Sequence, residues 1–192
     1  ENFPKIEYLD QPTSNIKRTK NSIIYHGHLG PERGIQDLVC AMKYASESIS
    51  SISLSLLGTF RTEEFEHKIK SLIVDLGLEN KITIFDQVSH SEIWPIIKEH
   101  SIGVIPFRRT PLTEENTPTK LFEMMICGLE IIVSKLPPAQ YFLNDSVHWC
   151  EPEDIHSISN SIINACKMKD NFINVQKNFQ LIQQEYNWEH RQ

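Results

Sequence analysis

Short apolar runs alternate with amphipathic stretches of helical length along almost the whole chain, and this alternation limits the possible folds more than any single residue does. Apolar runs of strand length lie at 22–27, 52–58, 81–85, 102–107, 131–134 and 147–150. The segments between them carry helix signals. From 34 to 48, Ile35, Leu38, Val39 and Met42 share one helical face. Thr62 precedes Glu63 and Glu64 as a cap with acidic residues in the first turn, and Gly77 closes that helix. Ser89 and Glu92 form a capping-box pattern ahead of a short helix that Pro95 enters. A short helix is expected over 137–143. Asp154 can cap a further helix bearing Ile155, Ile158, Ile162 and Ala165, and a last one bears Phe172, Val175, Phe179 and Ile182. Strands separated by helices of this length imply βαβ units and a parallel sheet covered on both faces. The expected fold class is α/β, a Rossmann-like doubly wound parallel sheet of about six strands flanked by helices.

Composition narrows the function classes. The 192 residues are 40% hydrophobic with a net charge of −6, which fits one domain with a sizeable core. The acidic balance counts against a broad nucleic-acid face, so an anionic ligand would have to be recognised locally. Cys40, Cys127, Cys150 and Cys166 form no CxxC pair and are expected as reduced, buried thiols in a cytoplasmic setting. The eight histidines show no metal-ligand spacing, and no DxD pair occurs, so no metal is expected. No GxSxG elbow marks a serine nucleophile. Residues 1–20, with Pro4, Pro12 and the Lys17-Arg18-Lys20 cluster, are expected as a linker, and 21–192 as the domain. The chain opens on Glu1, so it is expected to be cut from a longer protein.

Ligands of such sheets sit outside the carboxyl ends of the strands, here the loops 27–34, 58–62, 86–89, 107–118 and 134–137. Two of these carry unusual residues. Glu115 and Glu123 stand eight positions apart, across a loop at 108–116 that runs into a helix start. Thr117 is expected as its N-cap, with Pro118 first in the helix and Gly128 as its stop. A helix N-terminus suits a phosphate, and carboxylates suit sugar hydroxyls, which together point to a nucleotide sugar. In the first loop, Gly27, Gly30 and Gly34 allow positive φ or close approach, and Arg33 brings a guanidinium fork suited to a diphosphate. Taken alone that loop is no more than a glycine-bearing turn with a surface arginine, since it matches neither GxGxxG nor a Walker loop.

Together the two loops resemble the C-terminal half of GT-B glycosyltransferases. The residues are Gly27-x-Leu29-x3-Arg33-Gly34-Ile35-x2-Leu38, then Glu115-x7-Glu123, then Met124-x2-Cys127-Gly128. The resemblance is to family 4 (group 1), which are retaining enzymes, and it covers about 20–190. Asn116-x-Pro118-x-Lys120-Leu-Phe-Glu123 is similar to a bacterial branch that builds surface polysaccharides. The resemblance implies that Arg33 holds the donor diphosphate, Glu115 faces the transferred sugar and Glu123 takes the ribose hydroxyls. Arg33 and Glu115 are thus the expected catalytic residues. Thr117, Pro118 and Thr119 match the turn that meets sugar and phosphate. Pro118 has no N–H, which shifts the phosphate contact to the Thr119 and Lys120 amides. The Lys120 side chain either adds a charge or points to solvent. Gly27-His28 stands where the family often has Gly-Arg, so charge must come more from Arg33. Gly58, Thr59 and the Asp86-Gln87-Val88 segment would lie near the base. Asn187-Trp188-Glu189 resembles the family's closing segment.

The implied function is the donor half of a retaining, metal-independent transferase that uses a UDP- or GDP-sugar as substrate and no cofactor. Its partners would be the donor and its own N-terminal acceptor domain, with peripheral membrane contact through the full-length protein and no nucleic acid. The fragment alone would be inactive. Two rivals are a GT-B sugar-nucleotide epimerase, and a non-enzymatic α/β binding module in which Glu115 and Glu123 are only surface charges.

Overall fold

A computed structural model of the chain describes residues 18–143, 145–168 and 172–185. Most of the leading segment (1–17), with Pro4, Pro12 and Lys17, lies outside the described residues, as do Asn187-Trp188-Glu189. The strands are β1 (Ser22–His26), β2 (Ser53–Leu57), β3 (Ile82–Phe85), β4 (Ile102–Ile105), β5 (Glu130–Ser134) and β6 (His148–Cys150). They form one six-stranded sheet in the order β3-β2-β1-β4-β5-β6. Every pairing is parallel, with His26 opposite Leu57, Ile24 opposite Gly103 and Val104 opposite Ile132. This is the doubly wound sheet expected from the alternation.

The helices are α1 (Ile35–Ser48), α2 (Glu63–Asp75), α3 (His90–Lys98), α4 (Pro111–Glu115), α5 (Thr119–Ile126), α6 (Pro137–Phe142), α7 (Ile155–Lys167) and α8 (Phe172–Glu185). The chain winds outward from β1 to β3 and then, through α3, returns to β4 and winds the other way. Right-handed crossovers therefore put α1 and α2 on one face and α5 and α6 on the other. α7 packs on α1, and α8 on α5. The central strands β1 and β4 are buried throughout on both faces, which is why they read as continuous apolar runs, whereas the edge strand β3 exposes Thr83 and Phe85. Cys127 and Cys150 are buried, Cys40 and Cys166 half-buried, and all four are free thiols.

All but one of the expected caps follow the sequence. Thr62 accepts a hydrogen bond from the Phe65 N–H at 3.2 Å, and Asp154 from the Ser157 N–H at 2.9 Å. The Ser89–Glu92 capping box is formed. Gly77 and Gly128 both adopt positive φ and close their helices with paired Schellman bonds. For α5 these are Gly128 N–H to Met125 O and Leu129 N–H to Met124 O. Arg18 donates to the Cys127 and Gly128 carbonyls, so the incoming segment satisfies the end of α5. Gly103 on β4 lets α5 lie close to the sheet, because a Cβ there would meet Met124 Sδ at 2.6 Å. Among the described residues no helix is long and apolar enough to cross a membrane.

Candidate functional site

The strand order reverses direction between β1 and β4, and in open α/β sheets that switch point opens a crevice at the strand ends. The Gly27–Gly34 loop leaves β1 and the segment from Pro106 leaves β4, so the two sequence motifs face each other across it.

The β1 side is built from backbone packed at contact distance. Gly27 has φ +102, and its N–H donates to Leu57 O at 2.8 Å. A Cβ on Gly58 would lie 1.9 Å from Gly27 O, which fixes the second loop against the first. Gly30 is extended, with φ −132, so its role is room beside the Glu32 carboxylate rather than a left-handed turn. Residues Pro31–Arg33 form one 3-10 turn. That turn delivers the Arg33 guanidinium over the Phe107 ring, 4.6 Å from its centroid, with Nε 3.4 Å from Glu32 Oε1. His28 is exposed, and its carbonyl accepts the Tyr25 hydroxyl at 2.8 Å.

The β4 side departs from the expected loop at 108–116. It contains the short helix α4, capped by Thr110, whose hydroxyl accepts the Thr113 N–H at 3.2 Å. Proline at the first helical position and a Thr–Thr capping box supply enough local signal for one turn. Glu115 is therefore the exposed last residue of α4. No hydrogen bond or ion pair among the described residues links it to Arg33 or Glu123. The base of this segment is fixed by Arg108, which donates from Nε and Nη2 to the buried Asp37 carboxylate, both at 2.6 Å. Asp37→Ala should lower unfolding stability by about 1–3 kcal/mol, because Arg108 can rehydrate but the bidentate pair is lost. Urea unfolding of the variant measures this directly, and a change below about 0.5 kcal/mol would remove the pair from the account of the site.

The start of α5 also needs correcting. The helix begins at Thr119 with Pro118 as its N-cap, and Pro118 has no side-chain cap bond, so Thr117 does not cap it. Extended φ and ψ at Pro118 (−73, 109) put the turn one residue later than the Thr-Pro signal suggests. The first free amides are then those of Thr119 and Lys120.

Glu123 is the centre of the charged groups. Its side chain is 18% exposed, with Oε1 3.1 Å from His90 Nε2 and Oε2 3.5 Å from His26 Nε2. His26 is buried at the end of β1. Desolvation, aided by nearby Lys120 and His90, pushes its pKa down to about 3, so it is neutral at any ordinary pH. Its Nε2 is buried without a hydrogen bond of normal geometry. Lys120 turns inward: Nζ donates to the Tyr25 hydroxyl at 2.9 Å and lies 4.1 Å from that ring's centroid.

The structure thus brings Gly27, Arg33, Lys120 and Glu123 into one crevice, with Gly58 beneath it. Val88 is half-buried at the β3 end, where Thr59 donates to Gln87 Oε1 at 2.9 Å. Thr117 and Pro118 are partly exposed at its rim, and Thr119 is exposed. Sequence reasoning missed Tyr25, His26, His90 and Phe107. For Tyr25 and His26, the signal was two polar-tipped residues closing a strand after Ile23-Ile24. Among the described residues, no three His, Cys, Asp or Glu side chains are placed to hold a metal ion.

The family model described as glycosyl transferases group 1 matches residues 9–187. The chain belongs to that family. A search of curated protein sequences finds no match. Among solved structures, this group 1 chain is similar to the C-terminal domain of the group 1 glycosyl transferase LpcC from Francisella tularensis. The identity is 15%, the TM-score 0.82, and the match covers 96% of this chain and 99% of that one. It is also similar to HepE of Anabaena, solved with UDP and glucose, at 17% identity and TM-score 0.79, covering 97% of this chain and 52% of HepE. TarM of Staphylococcus aureus, solved with UDP, gives 15% identity and TM-score 0.82 over 99% of this chain and 36% of TarM. At these identities the likeness establishes the fold, that of the GT-B C-terminal domain. The chain spans about half of HepE and about a third of TarM.

Proposed function

We propose that this group 1 chain is the donor-binding half of a retaining glycosyltransferase that takes a nucleotide sugar and works without a metal ion, in bacterial polysaccharide or glycoconjugate synthesis. The observation that carries the reading is the placing of Arg33, from the 3-10 turn after β1, and Glu123, from α5 after β4, at the same β1–β4 crevice. Arg33 presents a guanidinium held on an aromatic ring rather than locked in a short ion pair, which leaves its fork for a diphosphate. The α5 N-terminus offers amides to the same anion. Glu123, poised by two imidazoles, can accept vicinal ribose hydroxyls when the exposed His90 swings aside. As the glycosidic bond breaks, charge grows on the departing nucleoside diphosphate, and Arg33 with the helix end stabilises it. Glu115, at the exposed end of α4, orients the transferred sugar. The acceptor is bound by an N-terminal domain, and the complete protein works in the cytoplasm with peripheral membrane contact.

Calorimetric titration with UDP-, GDP- and ADP-sugars, and with the 2′-deoxy form of the preferred nucleotide, tests this. The chain should prefer the ribose form by about 10–100-fold, the worth of a charge-assisted hydrogen bond. Glu123→Ala should bind both forms equally. An unchanged ribose preference in Glu123→Ala would take the ribose role from this residue. Product analysis of the complete protein separates transfer from epimerisation.

A further inference from the structure

We propose that Lys120, delivered from α5, is the second diphosphate cation of this site beside Arg33, and that it takes up a proton from solvent as the donor binds. The inference rests on the donor-binding reading above and deepens it.

The geometry is that of a built cation seat. Lys120 Nζ lies 4.1 Å from the Tyr25 ring centroid and 5.3 Å from that of Phe107, the ring that also carries Arg33 at 4.6 Å. Tyr25 donates its own proton to His28 O, so its oxygen is free to accept from Nζ. Glycine at 27 leaves the seat room: a Cβ there would stand 3.0 Å from Nζ. Two basic groups thus share one aromatic ring at the mouth of the crevice. The carboxylate nearest in sequence, Glu123, has its oxygens directed at His90 and His26. Like charges gathered this way repel, and an anion of two negative charges between them relieves the repulsion.

Protonation follows from the same arrangement. Burial first, then the Arg33 charge, lowers the Lys120 pKa to about 7, against the opposing pull of Glu123. The free site is therefore mixed at neutral pH, part ammonium and part amine. A diphosphate favours the ammonium, raises the pKa and draws in the proton. The groups facing Lys120 are Arg33 from the 3-10 turn, Tyr25 and His26 from β1, Glu123 from α5 and His90 from α3. His26 does not titrate in this range, and burial raises the Tyr25 phenol out of it. His90→Gln removes the remaining imidazole.

The test is calorimetry of the chain with UDP-, GDP- and ADP-glucose, from pH 6.5 to 8.5, in buffers of differing ionisation enthalpy. These ligands lose no proton of their own in that range. Binding should take up about half a proton at pH 7, approaching one near pH 8, and affinity should fall roughly tenfold or more from pH 6.5 to 8.5. Lys120→Arg should bind with no proton uptake and no such pH dependence. Lys120→Met should bind about tenfold or more weakly, again without uptake. His90→Gln should keep the uptake. Binding by the wild-type chain without proton uptake, or uptake preserved in Lys120→Met, overturns the role given to Lys120. Failure of the wild-type chain to bind any of the three sugars overturns the donor-site reading, and this inference with it.

Discussion

Arg33→Ala should lower kcat/KM of the complete protein by about 10²–10³-fold, the loss typical of removing one preorganised donor from a developing anion. The magnitude follows from what else is available to the leaving diphosphate. The N-terminus of α5 contributes on the order of 0.3–1 kcal/mol, or up to about 2 kcal/mol when partly buried. Each factor of ten in rate requires about 1.4 kcal/mol, so the helix end alone supports at most about a thirtyfold effect. Lys120 adds a single flexible point charge once the donor is bound, whereas the arginine is permanently charged and rigidly forked. Arg33 therefore supplies the largest single share. Its side chain is 22% exposed and stacked on Phe107, so the alanine variant should fold, with a thermal midpoint close to wild type. Arg33→Lys should recover part of the loss. If Arg33→Ala turns over within threefold of wild type while folded, the leaving-group role belongs elsewhere.

The fold was legible because six apolar runs and their caps obey two different periods, and nothing in the chain competes with them. Thr62, Asp154, Ser89 with Glu92, Gly77 and Gly128 each act through bonds that span only a few residues, so local sequence suffices to place them. The 108–116 segment was harder. α4 is a single turn held by Thr110, Pro111 and Thr113, too short to show any apolar periodicity. The start of α5 slipped by one because a Thr-Pro pair signals a cap equally well when proline is itself the cap. The candidate site was half legible. Arg33 and Glu123 stand in motifs whose spacing can be read, and the parallel order β1–β4 brings those motifs together. The inward turn of Lys120 could not be read, because it depends on two rings, Tyr25 and Phe107, that lie 95 and 13 positions away in sequence. His90 reaches Glu123 from α3 across 33 positions. Contacts of that kind are set by packing, not by any local signal.

Gly34→Ala should destabilise the chain by about 3–5 kcal/mol, a large part of the 5–15 kcal/mol usual for a domain. Gly34 has φ +69, in the left-handed region where a side chain costs roughly 1–2 kcal/mol. Strain is the smaller part. A Cβ there would lie 1.8 Å from Pro106 O and 2.9 Å from Pro106 C. Both are backbone atoms, so no rotamer change relieves the clash, and the loops leaving β1 and β4 must separate. Gly77→Ala is the internal control: its φ is +66, but nothing lies within 4 Å of the added carbon. It should cost only about 1 kcal/mol, so the difference between the two variants in urea unfolding isolates the clash from the strain. Equal effects would mean that the two loops do not meet as described. The separation also reaches the chemistry. Pro106 precedes Phe107, the ring on which Arg33 rests and beside which Lys120 lies. Molecules of Gly34→Ala that remain folded should therefore bind a nucleotide sugar more weakly than wild type, although residue 34 has no side chain to touch one. Gly77→Ala, remote from both loops, should bind it normally.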